Sequence, residues 1–396
     1  MWRRYEAAIG QGCLTNSKHP VAYVNGIYPK IIKRAFGAHV YDHLGNKYLD
    51  YSCGLGTNLL GYANEHVLKA VDRVRDFGLC PSFPTIHEVE LVDKFKEIFP
   101  FIEKAKFLKS GSEACSAAIR MARAFTGRDI VLSHGYHGWH DPFTSLTPPA
   151  NGVPVNQSIY TVGELTNIDD TVAAVIIEPV ILDDSRERKL YLNRLRERCS
   201  KYGVVLIFDE IITGLRYKNF SVSNDFNIRP DLICLGKAIG NGFPLSAVAG
   251  RADILDSPYF VSSTYGGEIW SLVAAKAVIE TMQKKSSYNL KPLWAEGQQF
   301  IDGFNLMWPG FIKIEGYATR GVFEGAPQNI AIFFQECAKA GILFGKSWWM
   351  NFELAKHSNE TLLVMRKVIE RIQCGDVKLV GDIPKSPLSM KSRNIK

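Results

Sequence analysis

Short apolar runs that end in polar residues recur through the middle of the chain. Val204-Val205-Leu206-Ile207-Phe208 leads into Asp209-Glu210, and Leu232-Ile233-Cys234-Leu235 leads into Gly236-Lys237. Upstream, 173–177 leads into Glu178-Pro179, 129–132 into Ser133-His134, and 105–108 into Lys109-Ser110. Runs without polar alternation predict strands buried on both faces, as in a parallel sheet. Helical periodicity falls between or beside them, over 64–78, 87–99, 113–126, 189–202 and 270–282. This repeated alternation predicts an α/β fold whose polar residues converge at one edge of the sheet. Two short alternating runs around Leu44-Gly45-Asn46 predict a hairpin.

From about Ser287 the pattern changes. A helix, an alternating segment over 311–316, an apolar run at 330–334, a helix reaching Ala340 and a last helix after Asn359 predict a compact α+β domain. The expected organisation is an N-terminal arm over 1–39 contributing to a small domain, a large domain over 40–286, and a C-terminal small domain over 287–396. The last of these carries a basic tail, expected to be loosely held, and Pro148-Pro149 to Pro154 predicts a mobile loop.

Composition narrows the function classes. The 396 residues are 46% hydrophobic and 22% charged, with a formal net charge of +7. The excess is scattered and forms no basic stripe interleaved with aromatics, so no nucleic-acid partner is expected. No run approaches membrane-spanning length and the start lacks an apolar signal segment, so the expected location is the cytoplasm, with no membrane partner. The eight cysteines form no CxxC pair and read as reduced, mostly buried residues.

The candidate chemistry lies at the strand ends. Taken singly, Asp209 reads as a cap or turn, Lys237 as a solvated strand end, and Ser110-Gly111-Ser112-Glu113-Ala114 as a helix cap. Small residues at a helix start also leave backbone N–H groups open to a phosphate. Ser133-His134-Gly135-Tyr136-His137-Gly138-Trp139-His140 invites a metal, but its spacing matches no zinc pattern and its run holds no acidic or thiol ligand. An aromatic platform for a flat ring fits better, and no metal is expected. A pyridoxal phosphate enzyme needs all four parts: a lysine amine, an aspartate for the pyridine nitrogen, N–H donors for the phosphate and a stacking face.

Several ordered motifs carry a resemblance. They are the 110–114 segment, Arg120 to Arg128, Tyr136-His137-Gly138, Glu178-Pro179, Asp209 to Arg216 and Leu235 to Gly242. On these the sequence resembles the class III, ornithine-type, pyridoxal phosphate aminotransferases. Within that class it is most similar to glutamate-1-semialdehyde 2,1-aminomutase and its aminotransferase relatives, from about 38 to 282 and more faintly to 363. The resemblance implies fold type I, a large domain with a mixed, mostly parallel central sheet flanked by helices, plus a smaller α+β domain. It implies that Lys237 forms the Schiff base and shuttles the proton, Asp209 binds the pyridine nitrogen, and Ile211 and Tyr136 cover the two ring faces. The backbones of Gly111 and Ser112 would hold the phosphate, joined by Thr264 of the partner subunit. His137 would join the cofactor-binding residues, Glu178 would sit near the cofactor O3′ side and help hold Asp209 or His137, and Glu113 would be structural. A homodimer with shared active sites follows, with Thr264 and the 54–58 loop as donors. The intact lysine, aspartate and phosphate loop argue against a purely structural role.

Substrate regions separate two reactions. The aminomutase pattern has a serine-proline-valine-arginine run where this chain has Tyr28-Pro29-Lys30-Ile31-Ile32-Lys33-Arg34, and no glutamate stands in register in Lys346-Ser347-Trp348-Trp349-Met350-Asn351. The gating loop between Asp141 and Gln157 is short, and the 263–268 turn differs. These departures favour an aminotransferase taking an amino group from a small-molecule donor, plausibly glutamate, to an aldehyde or ketone acceptor. The alternative is the aminomutase forming 5-aminolevulinate. Trp348 and Trp349 are candidates either for an acceptor pocket or for packing.

Overall fold

In the computed structural model the described residues are 1–147 and 150–385. Pro148, Pro149 and the basic tail beyond Lys385, both expected to be loosely held, lie outside them. The chain divides into two compact units, Glu65–Leu290 and a second made of Met1–Asn64 with the described residues from Lys291 onward.

The Glu65–Leu290 unit is built on a seven-stranded sheet: β1 (Lys104–Leu108), β2 (Ile130–His134), β3 (Ile159–Thr161), β4 (Val172–Ile177), β5 (Val205–Asp209), β6 (Leu232–Leu235) and β7 (Ser246–Gly250), in the order β1-β7-β6-β5-β4-β2-β3. The pairs from β6 through β3 are parallel, whereas β7 runs antiparallel to both β1 and β6. Every residue of β4, β5, β6 and β7 is buried, which explains the continuous apolar runs of β4, β6 and β5 up to Asp209. The helices include α1 (Ile86–Ile98), α2 (Gly111–Thr126), α3 (Arg186–Tyr202) and α4 (Ile269–Lys284). The segment expected to be helical over 64–78 is helical over Glu65–Asp72. α2 buries Ala114, Cys115, Ala117, Ala118 and Ala122, and these small side chains let it lie close against the sheet.

The edge beyond β5 is fixed by a buried carboxylate. Glu210 accepts hydrogen bonds from the Val222 and Ser223 N–H groups and from the Thr213 and Ser223 hydroxyls. Burial raises its pKa, with the donors opposing the rise. The acidic pair of the sequence thus divides its labour: Glu210 ties down the turn after β5, and Asp209 is left at the strand end.

In the other unit, His39–Asp42 and Lys47–Asp50 form the expected hairpin. Ile32–Phe36 joins one side and Ile342–Leu343 pairs parallel with Leu49 and Asp50 on the other. That last pairing places residues 40–64 with the C-terminal segment, so the compact unit breaks at Asn64 and not at 39. A second sheet joins Ile312–Tyr317, Arg320–Gly325 and Ser347–Trp349. Trp348 is fully buried, with its ring against Tyr51 and Phe300. Trp349 lies over Gly56 and under the Arg320 guanidinium. Both tryptophans are core residues of this unit.

Candidate active site

Parallel strands deliver five of the predicted residues to one edge. In register, Asp209 on β5 stands opposite Cys234 on β6, and Ile177 stands opposite both Phe208 and His134. Asp209, Glu178, the loop after His134 and the Gly236-Lys237 turn therefore leave the sheet side by side. Lys237 opens a 3-10 turn, Lys237–Gly240, with a φ of 44°. A non-glycine residue in this left-handed region is strained by roughly 1–2 kcal/mol, and such strain gathers where geometry serves function.

Asp209 is the hub. Its Oδ2 accepts from His137 Nδ1 at 2.7 Å and from the Cys115 thiol at 3.3 Å, and its Oδ1 accepts from the Ile211 N–H at 3.1 Å. Burial opposes a charge on His137, but hydrogen bonds to Asp209 and Cys115 and the negative aspartate outweigh it, and its pKa is pushed up to about 10. Among the described residues Cys115, His137 and Asp209 are the group of metal-ligand types whose donor atoms lie within 4.8 Å of one another. The 2.7 Å contact is a charge-assisted hydrogen bond. The sequence run around His137 holds no acid or thiol; the fold supplies both from elsewhere. The three histidines do not converge, since His140 bonds Ser116 at 2.9 Å.

The start of α2 is a candidate anion cradle. Ser110 and Glu113 form a reciprocal capping box: Ser110 Oγ accepts from the Glu113 N–H, and the Glu113 carboxylate accepts from the Ser110 and Lys109 N–H groups. Glu113 is therefore a structural cap, and the N–H groups of Gly111 and Ser112 have no intrahelical acceptor. The Ile211 side chain packs over Gly111 and Gly236; a Cβ would stand 3.2 Å from it at Gly111 and 2.9 Å at Gly236. Gly138 (φ 102°) passes so close to Ser112 that a Cβ there would lie 2.7 Å from the Ser112 Cα. Glu178 accepts from the Tyr136 N–H at 2.8 Å, so it holds the backbone of the loop that carries His137. Tyr136 is 62% exposed, and Thr264 lies in an exposed loop whose carbonyl accepts from the Cys80 thiol. These parts fit pyridoxal phosphate: open N–H donors for its phosphate, a carboxylate at the strand end, an aliphatic face and a lysine. Cys115 had no role in the sequence reading; its signal was a buried-face position one turn after Gly111 and Ser112. The other unit holds a pocket of about 270 Å³ lined in part by His39, Lys47, His357 and Glu360, none of them a predicted site residue.

The raised pKa of His137 makes stability depend on pH. Its unfolded value is about 6.5, so the stabilisation is fully present below that and is lost as pH rises through about 10. A shift of this size corresponds to a few kcal/mol at most. Melting of the cofactor-free protein is expected to fall more steeply between pH 7 and 10 than melting of His137→Gln. Equal slopes would show that His137 is neutral in the folded state.

Comparison with known proteins agrees with this geometry. The family described as Aminotransferase class-III matches residues 22–156 and 154–300. Glutamate-1-semialdehyde 2,1-aminomutase of Desulfotalea psychrophila is 34% identical over 292 residues, 66% of this chain and 68% of that protein. The same enzyme of Neisseria meningitidis serogroup C is 31% identical over 90% of this chain and 93% of its own length. Among solved structures, the PLP internal aldimine form of the FumI protein of Sphingopyxis sp. MTA144 superposes with a TM-score of 0.87 at 24% identity, covering 97% of each chain. An omega-transaminase from Sphaerobacter thermophilus gives 0.83 at 23% identity, covering 94% of this chain and 97% of its own. The chain belongs to the class III aminotransferase family, and it is a pyridoxal phosphate-dependent enzyme with the type I fold of that family.

Proposed function

We propose that the chain moves an amino group at a pyridoxal phosphate held by Gly111, Ser112, Asp209, Ile211 and Lys237, in the 2,1-aminomutase reaction that makes 5-aminolevulinate from glutamate-1-semialdehyde. The observation that carries the substrate is the 31% identity with named aminomutases across 90% of the chain. The cofactor, when bound, supplies an electron sink. The protein does the rest. The Gly111 and Ser112 N–H groups bind the phosphate, and Asp209, supported by His137, holds the ring nitrogen. Ile211 fixes one face of the ring and Tyr136 stacks on the other. The Lys237 amine attaches the cofactor and moves the substrate proton, while Glu178 keeps the Tyr136-His137 backbone in place.

A second reading, transfer from a donor such as glutamate to a separate aldehyde or ketone, is favoured by the departures at 28–34 and 346–351. A homodimer that shares its sites, with Thr264 donated across the interface, accords with the exposed Phe77, Phe83, Ile86 and Tyr265 on the unit that carries the site. Titration of the purified protein's visible band separates the readings. Conversion of glutamate-1-semialdehyde to 5-aminolevulinate without loss of the band to glutamate is the expected result. Bleaching by glutamate, reversed by a carbonyl acceptor, would establish the second reading. The same sample is expected to elute at the mass of two chains, and active protein at the mass of one would overturn the shared site.

A further inference from the structure

α2 reaches the site twice. Its first residues, Gly111 and Ser112, present N–H groups to an anion, and one turn later Cys115 directs its thiol at Asp209. Cys115 is 1% exposed, and its Sγ lies 3.3 Å from the oxygen that also accepts from His137. The titratable groups around this carboxylate are His137 from the loop after β2, Cys115 from α2 and Cys234 opposite it on β6. Burial pushes the Cys115 pKa well up, so the thiol stays protonated and acts as a donor.

Two donors thus share Asp209 Oδ2, one strong and one weak. A thiol is a weak donor, a hydroxyl in its place donates more strongly, and an alanine does not donate at all. Each donation draws negative charge from the carboxylate, and in a buried site of low dielectric that change is felt fully. We propose that Cys115 is a positioning residue that sets how tightly Asp209 holds the protonated ring nitrogen of the cofactor. It acts through the aspartate and does not touch the cofactor itself. The inference rests on the reading that Asp209 faces that nitrogen.

Donor strength and packing make opposite predictions. If the thiol acts as a donor, Cys lies between Ser and Ala: Cys115→Ala tightens the hold of Asp209 and Cys115→Ser loosens it. If residue 115 only fills space, both smaller residues shift the site in the same direction. The test is titration of cofactor-free protein with pyridoxal phosphate, read as the dissociation constant and as the pH midpoint of the visible band. Expected are opposite displacements of Cys115→Ala and Cys115→Ser from the parent, each about 2- to 10-fold in dissociation constant, a range set by the worth of one hydrogen bond. Cys115→Thr, which restores the hydroxyl with added volume, is expected to fall with Ser, and it serves if Ser fails to fold. Displacement of Ala and the hydroxyl variants in one direction overturns the proposal. Asp209→Asn in the same titration isolates the underlying reading. If it leaves both the dissociation constant and the band unchanged, Asp209 does not face the nitrogen, whatever the order of the Cys115 variants.

Discussion

Lys237→Ala is expected to lose turnover by at least ~10²–10⁴-fold, the usual worth of a positioned proton-transfer group, and more if the amine also attaches the cofactor. The fold is expected to survive. Lys237 is a strand-end residue beyond the buried run of β6, and alanine inherits the same left-handed backbone with a φ of 44°. Glycine accepts that conformation freely. Lys237→Gly is therefore expected to be equally inactive yet to unfold at higher denaturant than Lys237→Ala, by about 1 kcal/mol. Steady-state rates, urea unfolding and cofactor binding on the three proteins check this. Turnover above a tenth of the parent's in either variant would remove Lys237 from the chemistry.

Gly138→Ala is expected to weaken binding of pyridoxal phosphate by roughly 10- to 100-fold, and to lower the melting temperature of the cofactor-free protein as the His137–Asp209 contact is disturbed. Two penalties coincide at this residue. Its φ of 102° is one that side chains rarely adopt, and the added Cβ would lie 2.7 Å from the Ser112 backbone. Neither Ser112 Cα nor the helix behind it can retreat easily, because α2 is packed on the sheet through seven buried residues. The loop must move instead, carrying Tyr136 and His137 away from the site. Strain of a few kcal/mol at one loop converts to the quoted range if part of it is relieved by that movement. Titration of cofactor-free protein with pyridoxal phosphate, alongside thermal melting, checks the prediction. Unchanged affinity would mean the loop carries no part of the cofactor grip.

The sequence made the central sheet readable because β4, β5 and β6 are continuous apolar runs that only a doubly covered strand requires. It made β7 unreadable for the opposite reason. Ser246-Ala247-Val248-Ala249-Gly250 is built from small residues and has no length or periodicity to mark it. The unit boundary was misplaced because the strand that claims the 39–50 hairpin, Ile342–Leu343, is two residues long and about three hundred positions away. The site divided in the same manner. Asp209, Lys237 and the 110–114 segment stand at the ends of legible elements. Spacing alone leaves His134, His137 and His140 equivalent; the resemblance singled out His137 through Tyr136-His137-Gly138, and the fold turns His137 toward Asp209. Cys115 was legible as a buried helix residue, but its partner is 94 positions away.

The antiparallel strand β7 has a further consequence. Strands in a sheet lie about 4.8 Å apart, and β7 is interposed between β1, which leads into the candidate anion cradle of α2, and β6, which leads into Lys237. β1 and β6 themselves are thereby held two strand widths apart, about 10 Å, and the Ile211 side chain packs over both Gly111 and Gly236 at their ends. The spacing of the strands is a property of the backbone ladder, which side-chain substitutions leave in place. On the proposed placement of the cofactor, the sheet would therefore set the spacing of its two anchors, and the freedom to take up a new substrate would be left to the loops.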